Sequence, residues 1–153
     1  MADKKAAQDR IDVAIDQAKL SVSKALQRLG RDDYFNIIEF NSTHRKLYQR
    51  PMRATRHYVQ RAQEFVRQLQ ASGGTEMMPA LLDALHSPAV ESSDNPAVAE
   101  HLRQIIFITD GAVGNESALY NEMAARLGDS RLFTVGIGSA PNSWFMRKAA
   151  ALG

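Results

Sequence analysis

The chain is predicted to fold as an α/β domain, with a doubly wound, mostly parallel sheet flanked by helices. Three observations predict it. Ile105-Ile-Phe-Ile-Thr109 is an apolar run, with one threonine at its end, that stops abruptly at Asp110-Gly111. Such a run reads as a buried parallel strand, both of whose faces must be covered. Segments with helical spacing alternate with segments rich in aromatic and β-branched residues, and that alternation argues for a parallel sheet covered by helices. A length of 153 residues, 44% hydrophobic and 24% charged, suffices for one domain with a sizeable core.

The elements follow in order. Residues 8–29 place Ile11, Ile15, Ala18, Val22, Ala25, Leu26 and Leu29 at spacings of three and four, which predicts an amphipathic helix ended by Gly30. Asp32-Asp33 makes a turn. Tyr34 to Phe40 reads as a strand. Asn41-Ser42-Thr43 turns the chain, and Arg45 to Tyr48 is a candidate short edge strand. Residues 55–71 repeat the helical pattern through Tyr58, Ala62, Phe65, Val66 and Leu69, until Ser72-Gly-Gly74 breaks it. A helix from about Glu76 to His86 tolerates Pro79 in its first turn. Residues 87–98 hold two prolines with Ser, Asp and Asn, the composition of a surface loop. Then come the strand 104–109, a helix from Glu116 to Leu127, a strand from Leu132 to Ile137, and a helix opening after Pro141. Neither repeats nor low-complexity tracts interrupt residues 1–153, which read as a single domain.

Composition excludes several functions. Nineteen basic against seventeen acidic residues leave a net charge of +2, which gives no argument for nucleic acid. The basic cluster from Arg45 to Arg61 spreads over a strand, a loop and a helix face, as solvated surface does. The absence of cysteine rules out disulfides, thiolate metal sites and thiol catalysis, but does not fix a compartment. No stretch approaches the roughly 18 apolar residues of a membrane helix. Met-Ala-Asp-Lys-Lys is not followed by a signal peptide's apolar core. As written, the chain is expected to be soluble, unexported and not inserted in a membrane.

Two positions can carry chemistry. Asp110 closes an apolar strand, and in open α/β sheets ligands bind just outside the carboxyl ends of the strands. A carboxylate there can hold a hard cation, which prefers oxygen ligands; it can equally open a strand-to-helix turn. Thr75 follows Gly73-Gly74, where the backbone can approach a ligand closely; its hydroxyl is either a neutral oxygen donor or a helix N-cap. The four histidines, His44, His57, His86 and His101, show no paired ligand spacing. Gly136-Ile-Gly138 lacks the third glycine of a dinucleotide fingerprint. There is no G-x-S-x-G and no Walker loop. Met77-Met78 reads as core.

Four strings then combine. Phe35-Asn-Ile-Ile-Glu-Phe-Asn-Ser42, Gly73-Gly-Thr-Glu-Met77, Ile105-Ile-Phe-Ile-Thr-Asp-Gly-Ala-Val-Gly-Asn-Glu116 and Arg131-Leu-Phe-Thr-Val-Gly-Ile-Gly-Ser-Ala-Pro-Asn142 occur in one order over residues 11–150. Together they resemble the von Willebrand factor type A domain, in its branch of inter-alpha-trypsin inhibitor heavy chains and bacterial relatives. The resemblance implies a doubly wound, Rossmann-like sheet. It also implies a metal-ion-dependent adhesion site, in which Mg²⁺ (or Mn²⁺ or Ca²⁺) is coordinated by three loops and by a carboxylate from a protein partner. Thr75 matches the threonine of the second loop and Asp110 the aspartate of the third. Gly74, Glu76, Ala112, Asn115 and Glu116 would form the ligand-binding rim. The parent protein is expected to be exported or envelope-associated.

The sequence departs from that pattern at the first loop, Asp-x-Ser-x-Ser at the end of the first strand. That string occurs nowhere, and Ser21-Val-Ser23 has Lys19 where the aspartate belongs. The resemblance therefore predicts a domain truncated at both ends, without the first central strand and without the C-terminal strand and helix. The site would keep one hydroxyl and one carboxylate and lose one carboxylate and two hydroxyls. Mg²⁺ gives up its water reluctantly and favours strongly charged sites, so the expectation is weak or absent cation binding. Unpaired sheet edges would favour self-association. The expected function is a non-enzymatic, adhesion-type protein-binding module. The alternatives are a metal-independent interaction domain and, less favoured, a Mg²⁺-dependent phosphohydrolase, for which no second carboxylate stands at another strand end.

Overall fold

The computed structural model describes residues 2–71, 76–87, 102–110, 114–138 and 143–153. Helix α1 spans Ala2–Gln27, six residues longer at its start than the apolar pattern predicts. Ala and Lys dominate that extension; they are strong helix formers that need no buried face. The chain leaves α1 through a reciprocal turn: Gly30 N–H donates to Asp33 Oδ2 (2.6 Å) and Asp33 N–H to the Gly30 carbonyl (3.1 Å).

The strand expected from Tyr34 to Phe40 is two strands. β1 (Tyr34–Phe35) pairs antiparallel with β4 (Met52–Arg53), while β2 (Ile38–Phe40) pairs antiparallel with β3 (His44–Lys46). Asn36 causes the break. Its Oδ1 accepts from the Ile37 and Tyr48 N–H groups (2.9 and 3.0 Å), and its Nδ2 donates to the Tyr48 carbonyl (2.8 Å). A side-chain amide thus replaces a ladder step, a competition Asn makes readily. The edge strand falls at 44–46 rather than 45–48, and β4 is too short for any periodicity to announce it.

Helix α2 is Arg56–Arg67, ending before residues 68–71 that the pattern included. Helix α3 is Met77–His86, with Pro79 in its first turn as expected. The loop read at 87–98 lies, beyond Ser87, outside the described residues. β5 (Gln104–Thr109) matches its expected range, and β6 (Arg131–Gly136) begins one residue early. They pair in parallel, with Ile106 opposite Phe133. Helices α4 (Glu116–Arg126) and α5 (Ser143–Ala150) follow β5 and β6.

Two cores result. The larger joins α3, α4, α5, β5 and β6 through Leu81, Phe107, Leu119, Met123, Leu132 and Phe145. Met77 belongs to it and Met78 packs against it, as expected. The smaller joins α1 and α2 through Leu26, Ala62 and Val66, with Phe35, Ile37 and Leu47 packed against them. Phe40, on β2, stacks on Phe107 of β5 (5.6 Å between centroids) and links the halves. Among the described residues the strands form three two-stranded ladders, and β2 and β5 share no backbone pairing.

Among the described residues, helices cover the β5–β6 pair on one face. Ile105, Phe107 and Leu132 are buried against helices, while Ile106 is 50% exposed and Phe133 46% exposed on the other face. An uninterrupted apolar run reports that both faces are apolar, and in this structure no described helix packs over the second.

Candidate functional site

The two parallel strands carry their carboxyl ends to the same side. Ile137 N–H donates to the Thr109 carbonyl (3.0 Å), so the ladder extends to the last residue of β5. Asp110 follows at once and is exposed. Its position is the one its place after the strand predicts. Gly138 faces it across the gap: a Cβ placed on Gly138 would lie 4.0 Å from the Asp110 Cβ and 3.7 Å from the Ala14 Cβ.

Helix α1 forms a wall that no local pattern foretells. Gly138 N–H donates to Gln17 Oε1 (2.9 Å), which ties the end of β6 to the middle of α1. Gly138 has φ +80°, a conformation that costs glycine little and other residues more. The pair Gly136-Ile-Gly138, set aside as a dinucleotide fingerprint, therefore serves the turn that brings α1 to Asp110. The glycines are a legible signal of a tight turn. Gln17 and Ala14 give none, because their partners are far along the chain.

The other predicted residues fall as follows. Glu76 is exposed at the N-cap of α3, and its N–H donates to the Asn41 carbonyl (2.7 Å), joining the end of β2 to the start of α3. Asn115 is the N-cap of α4 in the left-handed region (φ 56°), which Asn tolerates better than most residues, and it is exposed. Glu116 stands in the first turn of α4, where a negative charge favours the helix dipole. Gly74, Thr75 and Ala112 lie outside the described residues.

An open polar hollow of about 270 Å³ sits beside Asn41, lined by Glu39, Thr43, Arg45, Gln68 and Gln70. Its charges satisfy one another. Arg45 Nε and Nη2 both donate to Glu39 Oε2 (3.1 and 2.7 Å), and the guanidinium covers the Phe65 ring at 4.7 Å.

Among the described residues no three His, Cys, Asp or Glu side chains gather as a metal-binding group. The nearby amide oxygen of Gln17 is already taken by Gly138. One carboxylate is little charge for a cation that sheds water reluctantly. Among the described residues, too, no helix is long and apolar enough to cross a membrane.

Comparison with known proteins fits this geometry. A von Willebrand factor A domain-containing protein of Dictyostelium discoideum is 29% identical over 126 residues, covering 82% of this chain and 13% of its own length. Inter alpha-trypsin inhibitor heavy chain 4 of Mus musculus is 32% identical over 146 residues, covering 89% of this chain and 15% of its own length. The chain thus spans a small part of the curated relatives it matches. Among solved structures, a von Willebrand factor type A protein from Catenulispora acidiphila superposes with a TM-score of 0.73 at 22% identity, over 90% of this chain and 32% of that one. The manganese-loaded TRAP protein of Plasmodium vivax superposes with a TM-score of 0.57 at 21% identity, over 85% and 52% of the two chains. These neighbours show the doubly wound α/β fold. The family profile of the von Willebrand factor type A domain matches residues 6–153, and the chain belongs to that family.

Proposed function

We propose that this chain is a non-enzymatic protein-binding module. Its crevice at Asp110 is the remnant of a metal-ion-dependent adhesion site that holds a divalent cation weakly or not at all. The observation that supports the reading is the exposed Asp110 at the carboxyl end of β5, walled by Gly138 and α1. In the intact family site, Thr75 and Asp110 would share a cation with a partner's carboxylate. Two unit negative charges about 4 Å apart near a protein surface repel by roughly 4 kcal/mol before screening. A cation shared at Asp110 would offset that repulsion toward a partner's carboxylate.

Hydrolysis would require a nucleophile or base beside a bound metal. Among the described residues no three His, Cys, Asp or Glu side chains gather as such a centre, which favours binding over turnover. The test is calorimetric titration of Mg²⁺ and Mn²⁺ into the chain and into Asp110→Ala, followed by turnover of generic phosphate esters. The expected result is weak or absent cation heat and no turnover. Ester hydrolysis that vanishes in Asp110→Ala would overturn the reading.

A second reading, self-association, rests on a different observation. Ile106 and Phe133 lie exposed side by side, and among the described residues β5 pairs on one edge only. Light scattering across a concentration series checks it. A mass rising with concentration in the wild type but not in Ile106→Lys supports pairing through this surface.

A further inference from the structure

We propose that the outer face of α5, with Tyr120 of α4, is a docking surface for an acidic protein segment. It extends the binding role proposed above but does not depend on a cation at Asp110. Both α4 and α5 start from the carboxyl ends of parallel strands, so their first turns flank the crevice side of the sheet. They lie side by side. The inner face of α5 is fixed by Phe145, Met146 and Ala149, all buried, and by Thr134 Oγ1 donating to the Met146 carbonyl (3.0 Å). Trp144, Arg147 and Lys148 are consequently held outward on a rigid helix.

Trp144 and Lys148, four residues apart, share one helix face. The Lys148 ammonium stands 4.5 Å from the Tyr120 ring centroid and 4.9 Å from that of Trp144. Cation–π attraction at this distance fixes both the charge and the ring. Trp144 is 61% exposed, the largest value among the exposed large hydrophobic residues described. Immobilised aromatic and cationic side chains lose little entropy on binding and are the usual anchors of protein interfaces.

Charge decides the occupant. Helix α5 carries Arg147 and Lys148 and no acidic residue. On the neighbouring α4, Glu122 is already paired with Arg126, four residues on, and Glu116 stands in the first turn, one turn before Tyr120. The surface therefore presents two cations and an aromatic platform. A segment with carboxylates beside an aliphatic or aromatic residue matches it: the acid pairs with Lys148 or Arg147, and the apolar group covers Trp144.

Trp144 is the chain's one tryptophan, so its emission reads the surface directly. The probe is a Trp-free peptide of Glu, Leu and Gly, with a counterpart carrying Lys for Glu, each titrated in EDTA. The expected result is a saturable blue shift with the acidic peptide and none with the basic one. Binding should persist in Asp110→Ala, and weaken at least about tenfold in Lys148→Glu or Arg147→Glu. Lys148→Met, which keeps the alkyl stem, should weaken it in the same direction, and circular dichroism checks that each variant folds. No shift with the acidic peptide, an equal shift with the basic one, or indifference to Lys148→Glu would overturn the proposal. Binding that requires Mg²⁺ and Asp110 but ignores Lys148 would also overturn it, while leaving the crevice as the binding site.

Discussion

The two halves of the molecule are held together to different degrees. Twelve buried side chains form the core around β5, β6, α3, α4 and α5, against three in the core between α1 and α2. The C-terminal core is a parallel ladder with helices packed on one face. The N-terminal half is two short antiparallel ladders, β2–β3 nested within β1–β4, beside a long helix whose Ile11, Val13 and Leu20 stay exposed. Parallel pairing needs strands of some length and a crossover helix, which bury apolar residues together. Two- and three-residue strands bury few, so hydrogen bonds from Asn36 and aromatic contacts at Tyr48 take a larger share of holding that half. The difference predicts that the halves respond unequally to the same kind of damage.

The largest effect is expected in the deep core. Phe145 is 1% exposed, among the largest fully buried side chains. Phe145→Ala should cost about 3–5 kcal/mol, a large part of a domain's whole stability, and the variant should unfold cooperatively at much lower urea. Val66, at 0% exposed, is its counterpart in the shallow core. Val66→Ala should cost about 1–3 kcal/mol. Hydrogen exchange separates the halves further. The amides of β5 and β6 that bond across the ladder should exchange only through global opening, and those in the first half of α1 through much smaller openings. Equal protection in both would break the comparison.

Next comes the junction. Asn36→Ala removes three hydrogen bonds at the point where β1 gives way to β2 and leaves the Tyr48 N–H without its side-chain acceptor. The expected cost is about 1–3 kcal/mol, read as a shift in urea midpoint. Gly138→Ala should cost about 1 kcal/mol. The added Cβ meets Ala14 and Asp110 at ordinary contact distances, so the cost comes from the positive φ rather than from a clash.

These positions also explain what was legible in the sequence. The C-terminal elements were found within one residue or so, because long apolar runs and helical spacing report local burial directly. Tyr34 to Phe40 looked like one strand because its composition is uniformly β-prone. The amide that divides it bonds to Tyr48, which strand propensity does not encode. The helical stripe of α1 was right at Val22 and Leu26, which pack with α2, and wrong at Ile11, which is exposed. Periodicity marks a face that can be buried, and tertiary packing decides how much of it is. At the crevice, the position of Asp110 followed from the end of its strand, whereas Gln17 could be known only from the folded chain.

The smallest expected effect is a titration confined to the N-terminal half. Tyr48 donates its hydroxyl to the Tyr58 carbonyl (2.8 Å) and packs edge-on against Phe35 and Tyr58. Burial pushes its hydroxyl above the ordinary 10.0, with Tyr58 adding to the rise and Arg61 partly opposing it. The folded state then holds the proton more tightly than the unfolded chain. Its contribution to stability is complete below the unfolded value of about 10 and is lost as pH rises through the raised folded value. The urea midpoint of the wild type should therefore fall on the alkaline side more steeply than that of Tyr48→Phe. At neutral pH the variant should be less stable by about 1 kcal/mol for the lost hydrogen bond. Tyrosinate absorbance followed through the same range identifies the late-titrating group, and an identical alkaline slope in the two proteins would place the loss of stability elsewhere than at this aromatic cluster.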